Sequence, residues 1–165
     1  MALEIIDIND MIAQQYEPKR AYRWVLGIDR RDLDAFTAKS WARPSFQLET
    51  ITIDYINDKR FLAGKMTPQT ITLTLYDPIA PSEAQKVQEW LDLHHEQITG
   101  RQGYAQIYKK ELFLKMLDPA GVVVETWQLQ GTFITSVNYG TLDYATNDPM
   151  TVELTLQYDK AILVN

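Results

Sequence analysis

Two stretches in the last third of the chain alternate apolar and polar residues with a period of two. This pattern constrains the fold more than any other feature. Gly131-Thr-Phe-Ile-Thr-Ser-Val-Asn-Tyr-Gly140 and Met150-Thr-Val-Glu-Leu-Thr-Leu-Gln-Tyr-Asp159 each read as a β-strand. One face carries Phe133, Val137, Tyr139, Val152, Leu154, Leu156 and Tyr158; the other carries Thr132, Ser136, Asn138, Thr151, Glu153, Thr155 and Gln157. From Met116 to Asp159 there is no Lys or Arg, against six acids. A sheet with one apolar face and one hydroxyl, amide and carboxylate face predicts a wall between a core and water. It offers no catalytic group, which points to structure rather than chemistry.

The chain has 165 residues, the size of one domain with a proper core. With 45% hydrophobic and 23% charged residues it reads as globular. The net charge of −6 opposes a protein that grips nucleic acid through phosphates, which needs a basic face. Cysteine is absent, excluding disulfides, thiolate metal sites and a Cys nucleophile. No apolar run approaches the roughly 20 residues that span a bilayer. The start, Met-Ala-Leu-Glu-Ile-Ile-Asp-Ile-Asn-Asp, is acidic and lacks the basic region of a secretory signal, so the chain is expected to be cytosolic when made. Residues 1–18 hold four acids and no base, whereas residues 19–43 hold seven bases against three acids. These are either complementary surfaces or ordinary solvated faces.

The organisation predicted along the chain is mainly β. Residues 1–18 form an arm, Tyr22–Asp29 a strand, and residues 30–45 an irregular segment anchored by Phe36 and Trp41. Phe46–Ile56 is a strand with a bulge at Glu49-Thr50. Asn57–Pro68 is a long connecting loop, and Gln69–Tyr76 returns as a strand, the whole making an extended hairpin. One helix is predicted over residues 82–98, opened by Pro81-Ser82 with a Ser82/Gln85 capping box and closed by Gly100. Val87, Trp90, Leu91, His94 and Ile98 fall on its apolar face, and Lys86, Glu89, Asp92 and Glu96 on its polar side. Tyr104–Leu117 and Val122–Leu129 are strands joined by the turn Asp118-Pro-Ala-Gly121.

Candidate chemistry is sparse. His94-His95-Glu96 is the one cluster that invites a metal, but adjacent helix positions point about 100° apart and no His-Glu-x-x-His pattern is present. His94 is expected on the apolar face of the helix. Gly100-Arg-Gln-Gly103 follows the helix and lacks the Lys-Ser/Thr of a phosphate loop. Asp143 and Asp148 flank a turn, where acids serve the backbone. No Gly-x-Ser-x-Gly nucleophile elbow occurs. The stronger signal is at 57–68, where Phe61, Leu62 and Met66 lie among Lys59, Arg60 and Lys65 at the end of a long hairpin. Such a tip either folds back on its own domain or is covered by a partner.

Pro18-Lys-Arg-Ala-Tyr-Arg-Trp24, the extended hairpin, the single helix ending near His94-His95, and Trp127-x-Leu-x-Gly131 leading into Phe133–Gly140, Asp143-Tyr144 and Val152–Asp159 follow one another in a telling order. In these the chain resembles the tail tube proteins of contractile-tailed bacteriophages and, more distantly, the Hcp tubes of type VI secretion. The resemblance covers nearly the whole chain. It implies an antiparallel β-sandwich or barrel with one flanking helix and a long hairpin loop, hexameric rings stacked into a hollow tube, and no enzymatic activity, cofactor, metal or small-molecule ligand. It further implies location in the virion tail after assembly in the host cytoplasm. The partners are other copies of the chain, the tail sheath protein, and baseplate or tail-tip and terminator proteins.

On that resemblance DNA passes through the bore without specific binding, along a lining that lacks the bases that would hold phosphates. The expected lumen residues are Gln47, Thr52, Asp54, Thr70, Thr72, Thr74, Ser136, Asn138, Thr151, Glu153, Thr155 and Gln157. The expected ring-to-ring contact is the hairpin loop, through Asn57, Lys59, Arg60, Phe61, Leu62, Lys65 and Met66, together with the N-terminal arm. The alternative is the tube of a protein-translocating injection system, a bacteriocin or a type VI apparatus. A third class, an enzyme or small-ligand barrel, would remain monomeric around a ligand-sized cavity.

Overall fold

A computed structural model describes residues 18–28 and 37–164. The expected N-terminal arm, but for Pro18, and the anchor Phe36 lie outside the described residues. Among the described residues nine strands and two helices follow in order: β1 (Trp24–Ile28), β2 (Ala38–Trp41), β3 (Phe46–Tyr55), β4 (Asp58–Pro68), β5 (Ile71–Tyr76), α1 (Glu83–His94), α2 (Ala105–Tyr108), β6 (Lys110–Leu117), β7 (Val123–Asn138), β8 (Thr151–Gln157) and β9 (Lys160–Leu163). The mainly antiparallel β architecture with a flanking helix is the one expected. The order in the main sheet is β1-β6-β7-β8-β5-β2, with β9 also on β7, while β3 and β4 form a separate two-stranded sheet.

Strand β7 is the spine of the sheet. Its first half pairs with β6 and β9, and its second half with β8. The change of partner falls at Gly131, whose φ is +67°. A Cβ there would sit 2.1 Å from Asp159 Oδ2. Only glycine combines this left-handed backbone with so close an approach. The chain then leaves strict alternation once more, through an irregularity between Ile134 and Ser136. This bulge corrects the sequence reading of Thr132 and Phe133. Thr132 is buried, and Phe133 lies half-buried against His94 and Tyr108. An extra residue reverses which positions face the core, so a period counted back from Val137 fails beyond it.

The core forms on one side of this sheet. Ile71, Leu73, Leu75, Val152, Leu154 and Leu156 are all essentially inaccessible, and they cluster with Leu26, Leu112, Leu129 and Ile134. Helix α1 closes the same side through Val87 and Trp90, with Leu91 packed beside them. Trp90 Nε1 donates to the Tyr108 carbonyl at 2.7 Å.

Three local expectations for this region are corrected. The capping box does not form: Asp77 Oδ1 accepts from the Glu83 and Ala84 amides at 2.9 and 3.3 Å and from Ser82 Oγ. An acid six residues upstream reaches the helix N-terminus because the β5–α1 connection folds back, which local spacing does not reveal. The helix ends at His94, so Ile98 is exposed rather than packed. The start of the expected strand at Tyr104 is instead the short helix α2.

Candidate functional site

Two surfaces stand out, a polar wall and a projecting hairpin. The wall is the face of the main sheet opposite the core. Cross-strand partners share a face, and the registers set the side chains in rows. Ser40, Thr74, Glu153 and Asn138 form one row; Thr72, Thr155 and Ser136 form the next; Tyr76 pairs with Thr151 beyond them. Thr70 precedes β5 and is exposed. Gln157 ends β8, its amide nitrogen 3.4 Å from the Pro68 carbonyl. The reason for the arrangement is the alternation itself: Val152 and Leu154 are 1% and 0% exposed, which turns Glu153 outward. Glu153 is the one carboxylate in these paired rows. The edge strand adds a base that reading the last two strands missed. Lys39 Nζ lies 5.4 Å from the centroid of the Tyr76 ring, at the margin of the wall.

The hairpin differs from its expected form. The segment Asn57–Pro68, read as a loop, is almost entirely strand β4, which pairs with β3 from Phe46↔Pro68 to Tyr55↔Asp58. The strand at Gln69–Tyr76 belongs to the main sheet instead. Both faces of β4 meet water, so burial imposes no period-two alternation on its residues and the strand carries no sequence mark.

The expected register shift near Glu49 is present, but the two-for-one step is on β4, at Gly64-Lys65. Strand β3 therefore alternates through it. Gln47 falls on the opposite face from Thr52 and Asp54, and all three sit on the hairpin rather than on the main sheet.

Every residue of β3 is exposed, as is most of β4. Leu48, Ile51, Ile53, Tyr55, Ile56, Phe61, Leu62 and Met66 all have 40% or more of their surface in water. Lys59 pairs with Asp54 at 3.7 Å. Asn57 sits at the tip beside Ile56, whose φ is +49°, and Lys65 sits at the bulge. The root is fixed where Tyr158 donates its hydroxyl proton to the Ser45 carbonyl at 2.9 Å and meets Phe46 edge to face.

An ionic cluster around one buried carboxylate secures the other end of β7. Glu125 is 4% exposed and takes contacts from Lys19 and Arg43, with Trp127 Nε1 donating at 2.5 Å. Burial pushes its carboxyl up, but the bonds from Lys19 and Trp127 and the charges of Arg43 and Lys19 outweigh this and hold it below the ordinary value. The His94 ring packs on Tyr108 at 4.3 Å between centroids, while His95 pairs through its backbone with Gln102 in an isolated antiparallel bridge. Among the described residues no group of three or more His, Cys, Asp or Glu is placed to hold a metal.

No protein-family model matches the sequence, and no curated protein matches it. Solved structures do. A chain of the PVC extracellular contractile injection system, in its sheath-tube complex in the extended state, aligns over 93% of this chain and 95% of its own at a TM-score of 0.72 and 22% identity. A chain of the anti-feeding prophage tube-terminating cap aligns over 90% and 91% at 0.72 and 19%. Hcp1 from Flavobacterium johnsoniae aligns over 87% and 95% at 0.50 and 12%. The chain thus has the fold found in tube-bearing contractile injection assemblies, in agreement with the resemblance read from its motifs.

Proposed function

We propose that the protein is a structural tube subunit of a contractile injection apparatus, with no catalytic role. The observation that carries this is the pairing of a polar, acid-bearing wall with an exposed apolar hairpin on a fold shared over 93% and 90% of the chain with components of the PVC and anti-feeding prophage assemblies. Copies arranged in rings present the wall to the bore. Helix α1, on the core side of the same sheet, then faces outward, where a sheath would lie. The lining comprises Thr70, Thr72, Thr74, Ser136, Asn138, Thr151, Glu153, Thr155 and Gln157. Gln47, Thr52 and Asp54 go with Asn57, Lys59, Arg60, Phe61, Leu62, Lys65 and Met66 to the contact surface on the hairpin.

Within this reading we assign the tube to a contractile phage tail, with DNA as cargo, a sheath around it, and terminator and baseplate proteins at its ends. A lining of hydroxyls, amides and a carboxylate offers no cations to replace the counterions of DNA, so the phosphates gain nothing by binding the wall and DNA slides past it. The second reading, a protein-translocating injection system, is favoured by the nature of the PVC and anti-feeding prophage neighbours. Electron microscopy of the purified protein tests the tube role: rings or tubes with a central hole are expected, and a monomer at high concentration overturns it. Capsid and terminase genes beside its own separate the phage reading from the other.

A further inference from the structure

The two ends of the polar sheet carry unlike, unpartnered surfaces. At one end is the root of the hairpin, next to Ile71↔Leu156. At the other end, next to Tyr76↔Thr151, the chain makes the β7–β8 loop, residues 139–150, held by the Asp77 amide donating to the Met150 carbonyl at 3.0 Å. Strand β5 separates the two by about 17 Å at the usual rise per residue. The loop is anchored at its start, where Tyr139 donates to Gln88 Oε1 at 2.8 Å, yet its tip turns Leu142 and Tyr144 into water at 83% and 111% exposure. It carries Asp143 and Asp148 and no base. On the hairpin, the face of Ile51, Ile53 and Leu62 also carries Arg60, opposite Ile53. Among the described residues Arg60 has no ion-pair partner, its neighbour Lys59 being the one that reaches Asp54.

We propose that the 139–150 loop of one copy docks on the β3–β4 hairpin of the copy in the next ring. Leu142 and Tyr144 cover Ile51, Ile53 and Leu62, and Asp148 meets Arg60. This rests on the stacked-tube reading and names the surface that receives the hairpin. Because the two patches lie at opposite ends of each subunit, the contact is heterologous and repeats without closing, which yields a column rather than a dimer. Apolar surface that would be a liability on a free subunit is covered once, at each ring junction.

The absence of native cysteine makes a disulfide test clean. A chain carrying both Leu62→Cys and Leu142→Cys, assembled and then oxidised, should give a long ladder of covalent oligomers on a non-reducing gel. Each single-cysteine chain should give none. Tubes that form but show no ladder overturn the docking and leave the tube reading intact. Dimers from Leu62→Cys alone would mean hairpin meets hairpin, and also overturn it. A cysteine-free parent that never forms rings or tubes removes the tube reading itself. As a second measurement, Arg60→Glu and Asp148→Arg should each shorten tubes at least tenfold, and the double exchange should restore most of the length. Failure of that rescue counts against the Arg60–Asp148 contact.

Discussion

Glu125 is the residue whose environment departs furthest from what its sequence neighbours suggest. Along the sequence it is one acid in a base-free stretch, yet two cations distant in sequence converge on it, Lys19 and Arg43. Because its folded pKa lies below the unfolded one, its contribution to stability is fully present above the ordinary value of 4.5 and is lost as pH falls through and below it. Glu125→Gln should therefore cost about 1–2 kcal/mol at neutral pH. That is less than breaking a wholly buried pair, because the half-exposed cations regain water. The same change should flatten the acid limb of a urea-denaturation series measured from pH 7 to pH 3. Gly131 makes the opposite kind of demand, for the absence of a side chain. Gly131→Ala adds a Cβ at a φ of +67° and against Asp159, which also pairs with Lys109 at 2.7 Å. A loss of at least about 2 kcal/mol is expected in thermal or urea melts.

At the scale of elements, α1 and the hairpin illustrate two ways of being stable. Helix α1 contributes one large anchor, Trp90 at 2% exposure, together with Val87. Trp90→Ala should destabilise the domain by about 3–5 kcal/mol in equilibrium unfolding. Its start relies on Asp77, so Asp77→Ala should cost about 0.5–2 kcal/mol while Ser82→Ala costs less, which inverts the ranking a capping box would give. On the outer side Lys86 is not free for a partner, since it pairs with the buried Glu83 at 2.9 Å. The hairpin has no core of its own. Two strands alone are marginal in water, and this pair is held by its ladder and by the Ser45, Phe46 and Gln69 contacts at its root. Replacing residues 48–66 by a short turn should leave the unfolding free energy of the domain within about 1 kcal/mol of the parent. Tube formation, followed by sedimentation and microscopy, should be lost.

For the whole molecule the prediction concerns the bore. On the proposed tube reading, Glu153→Lys in every copy would place a ring of positive charge on the bore at each level. Assembly should persist, because the side chain already faces water between two inaccessible neighbours. Cargo carrying phosphates should then move more slowly, most of all at low salt, where attraction is least screened. Ejection of DNA at an unchanged rate at low salt would remove the account of a wall that does not hold phosphates. Burial of Glu153 between copies would remove the assignment of the wall.

The sequence alone determined the elements whose two faces meet different media. In β5 and β8 each apolar position is fixed by a core on one side and water on the other, so a period of two survives into the structure residue by residue. The same held for the Val87 and Trp90 face of the helix and for the turn at Asp118–Gly121. Only the tertiary structure decided the rest. Both faces of β4 are wet, so burial imprinted no alternation and the strand read as loop. The bulge near Thr135 reversed the inward face without a sequence mark. Asp77, Lys19 and Arg43 act on partners brought near by chain folding, and spacing along the sequence carries no information about that proximity.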